Sequence, residues 1–345
     1  MYIPILKSRQ QEDSFLKENS NLFNTENIIP LIEIISLRIN KKNFEVLELI
    51  EHYSTTINGK FFVDFFSFEV EDYIPFDKNK VSFSLSLRDE STYSYYDLLK
   101  ISTLYNNSIP VISINGGREF ILNETYLMEL IDKLQNITSS IAIRIQSKYF
   151  DDYFNIINNK LRESDYFFYD IGESSIDPLY FNIQDIMNKT GKYKSIILNS
   201  PRKRRYFNDK YIDCDYTDLI DNSIRIDYKD YGFDGFGDYA GLKDSLPPER
   251  GDGDGSALAL LYDNNVNKYF SIINSDKKLG SSGYYYVIEK IIDDYKNKLD
   301  PTGQCPAIKY IYETRYLPDK PGNWATWNYI TILRTISQIK MSINN

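Results

Sequence analysis

Short apolar segments recur along the chain with helix-like stretches between them, and this alternation constrains the fold more than any other feature. The segments are residues 3–7 (IPILK), 28–35 (IIPLIEII), 61–66 (FFVDFF), 109–114 (IPVISI), 141–146 (IAIRIQ), 166–171 (YFFYDI) and 194–199 (KSIILN). An eighth, glycine-rich segment falls at 235–241 (GFGDYAG). Helical periodicity runs over residues 41–57, 93–105, 124–136, 150–161 and 178–189. Strands that alternate with helices form a parallel sheet, because parallel neighbours need a long crossover between them. Eight of them predict a closed (β/α)8 barrel of the TIM-like kind, with an open doubly wound sheet as the alternative. No G-x-G-x-x-G follows the first segment, which counts against a dinucleotide-binding sheet.

Two stretches depart from the pattern. Residues 81–87 (VSFSLSL) alternate like an extra strand, either an insertion or the true fourth strand. The unit between the seventh and eighth segments has no clean helix and is expected to be irregular. Beyond Gly241 the pattern changes to a turn-rich loop at 247–255 (PPERGDGDG), a predicted hairpin at 257–262 and 268–274, and helices at 282–299 and 322–340. The expected organisation is a barrel over 1–245, with a C-terminal extension of hairpin and helices over 246–345 packed on it as part of the same domain. Asp252, Asp254 and Ser256 have calcium-loop spacing. However, Ala257 stands where that loop needs Gly and Asp263 where it needs Glu, so an EF-hand is rejected.

Composition narrows the function classes. The single histidine, His52, rules out a multi-His metal centre and makes a Ser-His-Asp triad improbable. Two cysteines, Cys214 and Cys305, point to a reducing compartment, and no apolar run reaches the ~18 residues of a membrane span. A cytoplasmic protein is expected, with no membrane partner. The net charge of −9 means that any affinity for nucleic acid must be local.

In a barrel, side chains alternate between lumen and helix layer, and function sits at the carboxyl ends of the strands. Ile141, Ile143 and Ile145 share one face of the fifth segment, so Arg144 faces the lumen. Lys7, Glu33, Asp64, Asp170, Asn199 and Asp238 fall at or near the ends of their segments. Lys7 and Arg144 against four carboxylates leave two negative charges over. Either an ion-pair network plugs the mouth, or a divalent cation balances the charge, with Mg²⁺ or Mn²⁺ suited to carboxylates without histidine. In a metal-dependent phosphodiesterase or nuclease, Glu33, Asp64, Asp170 and Asp238 would be the catalytic carboxylates.

The only dense basic run, Arg202-Lys203-Arg204-Arg205, follows the seventh segment. Barrels often bind phosphate in the loops after strands seven and eight, and arginine suits bidentate phosphate contacts. Residues 231–241 (YGFDGFGDYAG) offer aromatic stacking surface and close backbone approach, with Tyr239 as a ligand contact. The run and the aromatics together could hold a nucleotide or a nucleic-acid end. Asn323 caps the last helix, and Trp324 and Trp327 should share a face that is buried.

The segments MYIPILK (1–7), IPLIEI (29–34), GDY (237–239), Cys305-Pro306 and GNWATW (322–327) resemble, in order and spacing, the phage "beta protein" family. The similarity is spread along essentially the whole chain. It implies a barrel of the kind argued above and a role in phage–host conflict, as a phage-encoded or antiphage-defence protein with a possible partner nuclease. It carries over no catalytic residues, although Lys7, Glu33 and Asp238 lie at its matching positions. The expected function is therefore a barrel whose mouth binds a phosphate-bearing ligand, nucleic acid or a partner protein. The alternatives are the metal-dependent nuclease and a non-catalytic scaffold or sensor.

Overall fold

A computed structural model describes residues 1–73, 75–189, 191–249 and 256–343. Residues 250–255 of the turn-rich loop, and with them Asp252 and Asp254 of the rejected calcium loop, lie outside the described residues. Eight parallel strands close a barrel: β1 (Tyr2–Lys7), β2 (Leu31–Glu33), β3 (Phe61–Asp64), β4 (Ser108–Ile114), β5 (Ala142–Gln146), β6 (Tyr166–Asp170), β7 (Lys194–Leu198) and β8 (Gly235–Asp238). Each strand pairs with its neighbours in chain order, and β8 returns to β1 with Ile3 opposite Gly237. The (β/α)8 barrel is therefore the observed fold. Helices Val46–Thr56, Tyr95–Ser102, Glu124–Gln135, Phe150–Lys160 and Tyr180–Met187 fall inside the expected helical stretches. No described helix is long and apolar enough to cross a membrane.

The chain forms two compact units that do not follow a single cut at 245. The first is Met1–Ser200 with Ile224–Asp238 and Ser245–Pro247, and it contains the barrel. The second is Pro201–Ser223, Tyr239–Asp244 and Pro248–Asn345.

Within the barrel, aromatic side chains fill the lower lumen. Phe62 of β3 meets Tyr166 and Phe168 of β6 edge-on, with ring centroids 4.9 and 4.8 Å apart. Gly237 admits the close approach of β1, since a Cβ there would lie 2.5 Å from the Ile3 carbonyl oxygen. Residues 81–87 are not a strand. They complete the 3-10 turn Lys78–Val81 and form the short helix Ser82–Ser86. The eight strands have already closed on themselves, so the alternating segment has no edge to join, and its Val81 is buried with Phe66, Phe68 and Phe76 instead.

In the second unit, β9 (Ala257–Asp263) and β10 (Lys268–Asn274) form the expected hairpin. The sheet gains a third strand, Asp215–Thr217, from the stretch expected to be irregular. The 20-residue helix Trp324–Ile343 packs on β9, where Thr331 donates to the Leu260 carbonyl at 3.2 Å. Asn323 caps it by accepting from the Thr326 N–H at 3.1 Å. The tryptophans do not share a buried face. Trp327 stacks on Tyr284 at 5.0 Å, whereas Trp324 is 54% exposed in the first turn, beyond the reach of the packed surface.

Candidate functional site

Lys7, Glu33, Asp64, Asp170 and Asp238 are each the last residue of their strand. Lys7, Glu33 and Asp64 are successive register partners across β1, β2 and β3, so their side chains share one rim of the lumen. Arg144 reaches this rim from the fifth strand. Its Nη1 donates to Glu33 at 2.7 Å and to Asp64 at 3.1 Å, and its Nε and Nη2 both reach the Oδ2 of Asp170, at 2.8 and 2.7 Å. The other Glu33 oxygen pairs with the Lys7 ammonium. One arginine and one lysine thus engage three carboxylates, all of them buried.

Asp238 has its own partners. Arg225 donates to its Oδ2 from Nε at 3.0 Å, and Tyr2 donates its hydroxyl to Oδ1 at 3.0 Å. Arg225 comes from the short helix Ile224–Asp227, inside the stretch that carried no clean helical signal. The two surplus negative charges inferred from the sequence are therefore reduced to one, with three directly paired cations facing four carboxylates. The surplus itself was the signal that a further cation had to exist.

The remaining charge falls on Asp64. Its Oδ2 accepts from Ser113 at 2.7 Å as well as from Arg144, while its Oδ1 has no partner among the described residues. Complete burial raises its carboxyl above the ordinary range, and the Glu33 charge pushes the same way. Arg144, the Ser113 hydroxyl and the more distant Arg118 oppose the rise without cancelling it.

Loops cover this layer. The Phe66 ring lies over both cations, 4.5 Å from the Lys7 nitrogen and 5.8 Å from the Arg144 guanidinium carbon. Phe66 packs in turn with Ile35, Phe68, Phe76, Val81 and Leu246. Arg118, fully buried, ties the loop after β4 to the loop after β3 by donating to the carbonyls of Phe65 and Leu87, with its guanidinium 4.2 Å over Tyr95. Asn115 adds a bond to the Ser67 carbonyl at 2.9 Å. Sequence reasoning missed Tyr2, Phe66, Ser113, Arg118 and Arg225. None of them carries a spacing signal, because each acts through a partner far away in the chain.

The residues present do not fit a divalent cation. The carboxylates converge on guanidinium and ammonium groups rather than on a common point, and no group of three or more His, Cys, Asp or Glu among the described residues could hold a metal.

The other candidates divide. Asn199 is buried just beyond β7. The basic run belongs to the second unit, as does Tyr239, which is buried. Arg202 is also buried, donating to the Tyr211 hydroxyl at 3.1 Å and the Gly241 carbonyl at 3.3 Å. Arg204 pairs with Asp244. Only Lys203 and Arg205 are exposed.

No protein-family model matches the chain, and no curated protein is similar to it.

Proposed function

We propose that this barrel is a non-catalytic scaffold or sensor subunit that acts through its surface, not a metal-dependent phosphodiesterase. One observation carries the reading: every strand-end carboxylate that a nuclease would use is buried and already held by a buried cation. A general base or metal ligand needs an accessible lone pair, and here Arg144, Lys7 and Arg225 hold oxygens of all four carboxylates, while the open Asp64 Oδ1 is buried. The resemblance to phage beta proteins supplies the proposed setting, a phage-encoded or defence system in which a partner nuclease would do the chemistry. Exposed Tyr180 and Phe181, on the helix after β6, offer apolar contact area on the barrel unit.

The test is a titration of the whole chain with Mg²⁺ and Mn²⁺, followed by calorimetry and by turnover of a generic phosphodiester. The scaffold reading expects neither a saturable heat nor turnover. Metal-dependent cleavage that Asp170→Asn abolishes in a folded variant would sink it.

A further inference from the structure

The second unit contains a cleft of about 260 Å³ next to the turn after β9, the helix Lys296–Leu299 and the helix Trp324–Ile343. Arg334 lines it while only 2% exposed. Its Nε donates to the Tyr262 carbonyl at 2.7 Å and its Nη1 to the Cys305 sulfur at 2.8 Å. Its Nη2 has no partner among the described residues, and no carboxylate of those residues lies within 4.0 Å of the guanidinium. This sets it apart from Arg144 and Arg225, whose charges are met directly. A buried guanidinium is stable only where something compensates it.

The rest of the lining agrees with an anion as the missing partner. Lys298 is a second cation without a carboxylate partner among the described residues, held 4.4 and 4.3 Å over the rings of Tyr216 and Phe270. Two aspartates also line the cleft. Asp263 accepts from the Asn265 N–H at 3.0 Å and the Tyr216 hydroxyl at 2.5 Å. Asp300 accepts from the N–H groups of Gln304 and Cys305 at 3.0 and 3.1 Å. Both Asp263 oxygens are engaged, whereas all the bonds to Asp300 fall on its Oδ1, so among the described residues the cleft keeps open donors on Arg334 and Lys298 beside one open carboxylate oxygen.

We propose that this cleft binds a small oxyanion group, a phosphate or a carboxylate, on the open edge of Arg334 with Lys298 as the second contact. A planar guanidinium presents a fork that matches such a group. The proposal is independent of the reading of the barrel.

The test is calorimetric titration of the full chain with inorganic phosphate, with acetate and with chloride at matched ionic strength. One-site binding of phosphate or acetate beyond chloride is expected, and the better binder identifies the oxyanion. Arg334→Gln should weaken it at least about tenfold, as loss of a charge-assisted pair does. If circular dichroism shows that Arg334→Gln does not fold, exposed Lys298→Gln decides instead, with a clear loss of affinity expected. Two results overturn the proposal: neither oxyanion binds beyond chloride, or the deciding folded variant binds as tightly as the parent.

Discussion

Arg144 and Glu33 stand 111 positions apart in the chain and meet at 2.7 Å inside the barrel. They belong to β5 and β2, three strands apart around a closed sheet of eight. The same guanidinium also holds β3 through Asp64 and β6 through Asp170. One side chain therefore cross-links four strands through the lumen, in addition to the backbone ladder.

Replacing Arg144 with Leu should be strongly destabilising. The substitution leaves Asp170 and Asp64 buried without their main partner, and breaking such a pair costs about 3–5 kcal/mol. Urea unfolding of parent and variant measures this. An unchanged midpoint would mean that the guanidinium faces solvent and the register is wrong.

Asp64 and Asp13 should give opposite dependences on pH. The Asp64 carboxyl is raised in the folded chain, so the stability it contributes is full below the unfolded value of ~3.9 and is lost as pH rises through the folded one. Asp13 is lowered. Its burial works the other way, but bonds from His52 and Lys17 outweigh it, so its contribution is present above ~3.9 and lost as pH falls. Unfolding free energies of Asp64→Asn and Asp13→Asn across the acid range check both. Relative to the parent, Asp64→Asn should gain as pH rises, and Asp13→Asn should flatten the acid limb.

Gly237→Ala should open the seam between β8 and β1. Besides the Ile3 carbonyl, the new methyl would meet the Leu198 side chain at 2.5 Å. Overpacking of this kind costs about 1–3 kcal/mol. Thermal melting gives the readout, and a melting point equal to the parent's would contradict the close approach.

The basic run should split into two pairs. Arg202→Ser with Arg204→Ser removes internal bonds to Tyr211, Gly241 and Asp244, so it should lower stability. Lys203→Ser with Arg205→Ser should leave the melting point unchanged. If the parent binds nucleic acid through the run, that pair should flatten the salt slope by up to roughly two units, at 0.7–0.9 per phosphate neutralised. An unaltered slope would place the phosphate contacts elsewhere.

The strands were legible because each is a short apolar run bounded by turn residues, and the Ile141/Ile143/Ile145 alternation placed Arg144 in the lumen before any geometry was known. The second strand is shorter than its apolar run, with the ladder confined to Leu31–Glu33. Residues 81–87 misled because an alternating pattern records which side chains are buried, not whether a free sheet edge exists to receive them. Arg225 was hidden because its helix is only four residues long, too short for periodicity to register. The identity of the groups at the mouth could be read from sequence. Their occupancy by one another could not, since it depends on contacts such as Tyr2 with Asp238, 236 positions apart.

That last contact bears on how the molecule is made. β1 finds β2 early, but its other edge has no partner until residues 236–238 exist. At ribosomal rates of about 5–20 residues per second, the interval is on the order of ten to fifty seconds. Throughout it, Tyr2, Ile3 and Pro4 present an unpaired parallel edge that any other nascent chain could join. Aggregation during synthesis should therefore rise when translation slows between β2 and β8, and fall when that edge is shielded by a chaperone.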